Sequence, residues 1–103
     1  EISALEQIRF MDALDREALP AEPEYQAQVR DMMLQDSGLP DGFRGELFGK
    51  TGSCVGPEGE HGWFTGFLHR GDQRWVFAVN VKGDGQWGWQ ARKIAVRVLD
   101  DIH

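Results

Sequence analysis

The segment Gly49-Lys50-Thr51-Gly52-Ser53 combines residue types that act on anions: an ammonium, a hydroxyl, and glycines that let a ligand approach the backbone. One use of such a segment is the phosphate loop G-x-x-x-x-G-K-[ST], which must run into a helix whose amide groups hold the phosphates. Here Arg44 occupies the position of the first required glycine. The next six residues, 52–57, contain two glycines and a proline and cannot open a helix. The sequence therefore argues against a nucleotide site.

The other residues that could do metal or nucleophilic chemistry are three histidines and one cysteine. His61, His69 and His103 have no acidic residue at ligand spacing, so we predict surface histidines rather than metal ligands. Cys54 cannot form an internal disulfide, and its spacing to any histidine does not match a zinc motif. No basic group is identifiable beside Cys54 that would activate the thiol. We expect no metal and no other cofactor.

The elements that position these residues divide near Gly38, because all 13 glycines lie between Gly38 and Gly88. This shift predicts a helical pair in residues 1–37, followed by strands and a last helix in residues 38–103. A capping-box pattern, Ser3 with Glu6, precedes apolar residues at helical spacing and predicts a helix from about Ser3 to Ala18.

A second helix is predicted with Pro23 in its first turn. Its apolar stripe stops before Asp36-Ser37-Gly38 and consists of Tyr25, Val29, Met32 and Met33. A later stripe predicts the last helix, with apolar residues Ala91, Ile94, Ala95, Val98 and Ile102.

Between the helices, alternating residues predict strands at 63–68 and 75–81, joined by the short polar connection Arg70-Gly71-Asp72-Gln73. A further strand is predicted from Phe43 to Lys50, before a loop from Cys54 to Gly62. The resulting order, α-α-β-β-β-α, predicts an α+β fold with antiparallel strands and with helices packed on one face.

Length and charge exclude several classes of protein. The 103 residues suit a single small unit, and 11 basic against 17 acidic residues give a net charge of −6 with no basic run. Nucleic acid and anionic membrane surfaces are therefore not expected as partners. No uncharged stretch is long enough to span a membrane, and the first residues do not resemble a signal peptide, as if something precedes them.

Five segments, in the order of the chain, resemble the class D serine β-lactamases (oxacillinases) and the related penicillin-sensor domains. Phe48-Gly49-Lys50-Thr51-Gly52 matches the family's Lys-Thr-Gly motif, and Gly62-Trp63-Phe64-Thr65-Gly66-Phe67 its G-W-[FW]-x-G strand. The other three segments are Ile2 to Phe10, Val29 to Met33 after Leu19-Pro20, and Val76 to Asn80. The resemblance implies the C-terminal part of a β-lactamase/transpeptidase-like domain, less than half of it.

The nucleophile motif of that family, S-x-x-K, is absent from the sequence. Ser3, Ser37 and Ser53 are followed three residues later by glutamate, proline and glycine. The lysine that acts as general base in the family, carbamylated in class D enzymes, is absent too. We therefore expect this chain alone to be inactive and to need the remaining N-terminal part of the domain, as a second chain or a missing segment.

The resemblance implies roles for five residues. Lys50 and Thr51 would contact the β-lactam carboxylate, and Gly52 would let an acyl group lie against the backbone. The backbone N–H of Ser53 would be one of two oxyanion-hole donors, although many class D enzymes have a bulky apolar residue there. Arg92 is the candidate for an arginine that pairs with the substrate carboxylate. A one-residue shift would put Ala91 at that position, in which case Arg92 is a solvated arginine.

The function implied is hydrolysis of β-lactam antibiotics through a serine acyl-enzyme, this chain supplying the Lys-Thr-Gly wall of the active site. Two alternatives remain open: a penicillin-binding or sensor domain, whose acyl-enzyme persists, and a non-catalytic fragment with an exposed sheet edge. By resemblance, the protein would work in the periplasm or outside the cell.

Overall fold

The computed structural model describes residues 3–57, 59–83, 85 and 87–102, so that Ile2 and His103 lie outside the described residues. Its elements, in chain order, are α1 (Ala4–Asp15), α2 (Pro23–Met32), β1 (Glu46–Gly56), β2 (Gly59–Arg70), β3 (Gln73–Lys82) and α3 (Gly88–Asp101). The predicted α+β class and the order α-α-β-β-β-α are both confirmed.

The three strands form one antiparallel sheet in the order β1-β2-β3. Gly71 and Asp72 connect β2 to β3, with Arg70 paired to Gln73, which confirms the predicted hairpin. The strand before it is longer than predicted: β1 begins at Glu46 rather than Phe43 and continues through the Lys-Thr-Gly segment to Gly56. The predicted loop from Cys54 to Gly62 is wrong, because most of it pairs as the second hairpin of the sheet.

Helices cover both faces of the sheet, so the prediction of helices on one face is wrong. Leu47 and Leu68, paired across β1 and β2, pack with buried residues of α3. Their neighbours Phe48 and Phe67 face the opposite way and pack with Met11 and Leu14 of α1, along with Met33. The Phe48 and Phe67 rings stack at 5.0 Å between centroids. We call these surfaces the α3 face and the α1 face.

The first two helices begin where the sequence predicts. Where α1 ends and which face of α2 is exposed differ from the prediction. Ser3 and Glu6 form the reciprocal capping box. However, α1 ends at Asp15 rather than Ala18, because the backbone at Glu17 turns to φ 55°. In α2, Pro23 lies at the first turn as predicted. The buried side chain of Gln26 forms hydrogen bonds with the backbone of Leu19 and Ala21. Most of the apolar stripe of α2 is exposed: Tyr25, Val29 and Met32.

The side that the last helix turns to the sheet agrees with the predicted stripe only in part: Ala91, Ala95 and Ile102 pack on the core. Ala91 and Ala95 are buried as expected, together with Val96 and Leu99. Ile94 and Val98 are about half exposed. None of the helices in the described residues is long and apolar enough to cross a membrane.

Candidate active site

The outer edge of β1 is covered in its first half and open in its second. The backbone of Met33 and Gln35 pairs with Leu47 and Gly49, through N–H···O distances of 2.8 and 2.9 Å. Because backbone groups alternate in direction along a strand, Thr51 and Ser53 also direct their N–H and C=O groups toward this edge. Within the described residues no backbone partner covers them. The open edge therefore begins at Thr51.

Lys50 and Thr51 lie on opposite faces of this strand. Lys50 is on the α1 face, paired with Thr65 of β2, whereas Thr51 is on the α3 face close to Gly88. Lys50 Nζ donates to the carbonyl oxygen of Thr51 at 2.6 Å. Because that carbonyl points to the open edge, the exposed ammonium lies at the edge rather than deep in the α1 face.

Two close approaches fix Gly52. On the α1 face the indole of Trp63 lies over it, and a Cβ at Gly52 would collide with that ring. On the other face, the start of α3 packs so closely that a Cβ on Gly88 would lie 2.8 Å from the carbonyl oxygen of Gly52. Only glycine fits at both positions without displacing a neighbour.

Ser53 joins the edge strand to the start of α3. Trp87, the N-cap residue of α3, makes no side-chain capping hydrogen bond. Instead Ser53 Oγ accepts a hydrogen bond from the N–H of Gly88 at 2.7 Å. The Ser53 side chain thus stabilises a helix terminus on the α3 face, and its own N–H remains directed to the open edge.

A cavity of about 400 Å³ opens beside Lys50 on the α1 face. The sheet contributes Lys50, Trp63 and Thr65 to its lining. The helix α1 contributes Glu6, Gln7, Phe10 and Met11. A second cavity, of about 560 Å³, continues beyond Trp63 and Gln7 toward Cys54 and His61. The α1 face therefore carries a groove large enough for a small organic ligand.

Arg92 does not join this group, because its guanidinium is engaged elsewhere. Its Nε donates to Gln35 Oε1 at 2.9 Å, and its Nη atoms donate to the carbonyl oxygens of Ser37 and Gly38. Gln35 Nε2 in turn donates to the carbonyl oxygen of Gly49 at 3.0 Å. Arg92 thus supports β1 just before Lys50, through Gln35.

A polar cluster that sequence reasoning missed connects α1 to the sheet. The carboxylate of Asp15, only 3% exposed, contacts His69 Nε2 at 2.8 Å and accepts from Arg74 at 3.0 Å. Arg74 also pairs with Asp12 at 2.7 Å. Hydrogen bonds from Arg16 and Arg74 lower the pKa of Asp12. The hydrogen bond that Arg74 donates to Asp12 raises the pKa of Arg74. The partners of Asp15 are 54 and 59 residues away from it, so no local spacing could have indicated them.

Within the described residues, which do not include His103, the candidates for metal chemistry form no cluster of three ligands. Cys54 is exposed and paired across the strands with His61, and His69 is held by Asp15. In the described part of the chain, no three histidine, cysteine or acidic side chains are placed to hold a metal ion.

Comparison with known proteins identifies relatives along the whole sequence. The family model "Penicillin binding protein transpeptidase domain" matches residues 1–102. A probable β-lactamase of Bacillus subtilis, YbxI, is 37% identical over 98 residues, covering 95% of this chain and 34% of that protein. The methicillin resistance protein mecR1 of Staphylococcus aureus is 27% identical over 104 residues, 99% of this chain and 17% of mecR1.

Solved structures agree with the sequence comparison. The class D β-lactamase FUS-1 (OXA-85) of Fusobacterium nucleatum superposes with a TM-score of 0.83 and 28% identity, covering 99% of this chain and 41% of that one. The matched region is the C-terminal part of the class D structures. The chain thus spans about a third of YbxI and about two fifths of FUS-1.

Proposed function

The chain belongs to the penicillin-binding protein transpeptidase domain family, and from this premise we propose that it forms the Lys50-Thr51-Gly52 wall of a class D serine β-lactamase active site. The complete domain would hydrolyse β-lactam antibiotics through a serine acyl-enzyme, in the periplasm or outside the cell. This chain alone has no S-x-x-K motif and would be inactive.

The observation that carries the proposal is the open edge of β1. Lys50 places an ammonium at this edge, where it can bind the substrate carboxylate by a charge-assisted hydrogen bond. Thr51 adds a hydroxyl on the other side of the same strand. Moving Lys50 Nζ from the Thr51 carbonyl to a ligand requires only a rotation of an exposed side chain.

The backbone N–H of Ser53 would be one of two oxyanion donors. When a serine oxygen attacks the lactam carbonyl, the carbonyl oxygen becomes negative, and an N–H already fixed in position stabilises that charge without reorganising. The amide C–N bond then breaks and the ring nitrogen takes up the proton that the serine has lost. Water activated by a lysine hydrolyses the resulting ester, which releases the acyl group as a carboxylate and restores the serine. The serine, the second oxyanion donor and that lysine would come from the rest of the domain.

Arg92 is a weaker candidate for the carboxylate site than Lys50 and Thr51. Its donors already bind Gln35 and the loop at Ser37 and Gly38, so a role in recognition would require it to leave those acceptors. We therefore propose that it acts on the substrate only indirectly, by holding β1.

The remaining N-terminal part of the domain is the proposed partner. Among the described residues, the outer edge of β3 has no paired strand. Large apolar side chains are also more than half exposed on the helices, including Tyr25, Met32 and Val98. An open strand edge and exposed apolar side chains on the helices are both suited to cover by further polypeptide.

The test uses what we call the completed domain: this chain joined to the N-terminal portion of YbxI that it does not match, with folding verified by circular dichroism. Lys50→Met should lower kcat/KM for benzylpenicillin by about 10- to 150-fold, the effect of one hydrogen bond to a charged group. Lys93→Met is the matched control, because Lys93 lies on α3 over the ring of Trp89. Equal losses in the two variants would contradict the proposal.

A penicillin sensor is the second candidate, favoured by the match to mecR1 along almost the whole chain. The edge of β1 would bind the drug equally well in either protein, and the two differ in how long the acyl group stays. Mass spectrometry after a penicillin pulse distinguishes them when this chain is joined to its own N-terminal part rather than to that of YbxI, because the deacylating lysine would lie there: loss of the adduct within seconds indicates a hydrolase, and an adduct stable for an hour indicates a sensor. Absence of any adduct would favour the non-catalytic fragment.

A further inference from the structure

The residue before Lys50 is held by hydrogen bonds from outside the three strands. Both backbone groups of Gly49 point to the outer edge of β1, and its N–H donates to the carbonyl oxygen of Met33 at 2.9 Å. A Cβ at Gly49 would collide with the Phe64 ring, so only glycine fits there, and no side chain restricts its backbone. The conformation that leads into Lys50 therefore depends on the segment that covers this edge.

The Gln35 side chain supplies the second hydrogen bond to Gly49. In a regular antiparallel ladder the N–H of Met33 would donate to the carbonyl oxygen of Gly49, but this N–H donates to Arg30 at 3.0 Å, where α2 ends. Gln35 Nε2 takes its place. It donates to the carbonyl oxygens of Gly49 at 3.0 Å and Met33 at 2.9 Å. The Gln35 amide is thus the last cover of the edge before it opens at Thr51.

Arg92 fixes the orientation of the Gln35 amide. Its Nε donates to Gln35 Oε1 at 2.9 Å, and its guanidinium is held in turn by the carbonyl oxygen of Ser37 at 2.6 Å. A guanidinium has no acceptor and a backbone carbonyl has no donor, so a flipped amide would lose its hydrogen bonds to both. The start of α3 therefore orients Gln35, and Gln35 holds the peptide group between Gly49 and Lys50.

We propose that Gln35 is a positioning residue for Lys50, which acts through the Gly49 carbonyl and does not touch the substrate. Without the amide, the glycine peptide is freer to rotate, and Lys50 loses the distance and direction that a charge-assisted hydrogen bond requires. The inference rests on the proposed function, because it requires Lys50 to bind the substrate carboxylate. It extends that function by naming the side chain that keeps Lys50 in place.

The measured quantity is the second-order acylation rate constant of the completed domain with benzylpenicillin, by competition with a fluorescent penicillin. Gln35→Met keeps the length of the side chain and removes its donors and its acceptor. It is compared with Lys50 present and in Lys50→Met, because a residue that acts through Lys50 loses its effect when Lys50 is absent. Gln26→Met is the matched control, because the amide of Gln26 also donates to backbone carbonyl oxygens, those of Leu19 and Ala21.

With Lys50 present, Gln35→Met should lower the rate constant about two- to tenfold, the effect of one hydrogen bond. In Lys50→Met the same substitution should change it by less than about twofold, the usual scatter of independent effects. Gln26→Met should lower the stability and leave the rate constant of the folded domain unchanged. An unchanged rate constant in Gln35→Met, equal losses with and without Lys50, or an equal loss in Gln26→Met would overturn the inference alone.

Arg92→Met is the second variant and replaces Gln35→Met if that variant does not fold. It leaves the Gln35 amide free to turn, so it should also lower the rate constant, and only when Lys50 is present. Loss of folding in both variants would assign the network to the stability of the fold and would overturn the inference. If Lys50→Met alone leaves acylation unchanged, the role of Lys50 in the proposed function is overturned with it.

Discussion

Removal of the Ser53 hydroxyl should loosen the start of α3 and, with it, the edge of β1. In Ser53→Ala the N–H of Gly88 loses the acceptor that lies at 2.7 Å, and the N-cap residue Trp87 offers no side-chain replacement. Loss of an N-cap hydrogen bond costs about 1 kcal/mol. For a domain of about 150–250 residues this corresponds to a fall in Tm of about 2–4 °C.

Two measurements on the completed domain test this prediction. Urea unfolding, followed by tryptophan fluorescence, should give a free energy of unfolding lower by about 1 kcal/mol. Native-state exchange of the Gly88 amide should be about fivefold faster, the same free energy expressed as an opening constant.

Two control variants distinguish the effect of losing the Ser53 hydroxyl from the effect of substituting a serine in general. Ser53→Thr keeps the oxygen and should retain most of the stability and the slow exchange at Gly88. Ser37→Ala, at an exposed serine outside the helices and strands, should change neither quantity. If Ser53→Ala unfolds like the unmodified completed domain and Gly88 exchanges at an unchanged rate, the assignment of Ser53 as the cap of α3 is refuted.

Three further predictions concern the polar cluster that connects α1 to the sheet and the glycine of the Lys-Thr-Gly motif. Asp15→Ala should lower the free energy of unfolding in urea by about 2–3 kcal/mol, because the Arg74 guanidinium loses a buried partner; a loss below about 1 kcal/mol would contradict this role. The pKa of Asp12 is lowered in the folded state from its usual value of 3.8. The Asp12 carboxylate therefore stabilises the fold fully at pH values above 3.8, and this stabilisation is lost as the pH falls through the lower pKa of the folded state. Asp12→Asn should therefore flatten the decline in stability below about pH 4 in acid titrations, and an unchanged slope would refute the linkage. Gly52→Ala should displace the Trp63 indole and alter near-ultraviolet circular dichroism; an identical spectrum would contradict the close packing.

The local parts of the fold could be predicted from the sequence. The capping box at Ser3 and Glu6 and the short connection at Gly71-Asp72 depend on neighbours three or fewer residues apart, and the structure has both. The pairing of β1 beyond Lys50 was missed, because glycines in Gly52 to Gly62 resemble a loop. In the structure, the glycines at 52 and 62 instead admit Trp63 and the backbone at Trp87.

The sequence does contain a signal for helices on both faces of the sheet. Consecutive apolar pairs, Leu47-Phe48 and Phe67-Leu68, place an apolar side chain on each face of the strand, as expected where both faces are buried. The apolar stripe of α2, from Tyr25 to Met32, was expected to be buried but is exposed. Amphipathic spacing indicates that a helix face is apolar, not that its cover lies within the same 103 residues.

Within the candidate site, the Lys-Thr-Gly segment could be located from the sequence, and the residues that support it could not. Hydrogen bonds such as those of Ser53 with Gly88 and Gln35 with Arg92 join residues 35 and 57 positions apart. Such pairs are set by how α3 packs on the sheet, so no motif spacing indicates them.

The most direct test of the central claim is the intact mass of this chain, alone and within the completed domain, before and after incubation with a fluorescent penicillin. The account predicts no adduct on the 103-residue chain and one penicillin per completed domain, attached outside this chain. Covalent labelling of the chain alone, or a folded completed domain that takes up penicillin equally well after Lys50→Met, would contradict it.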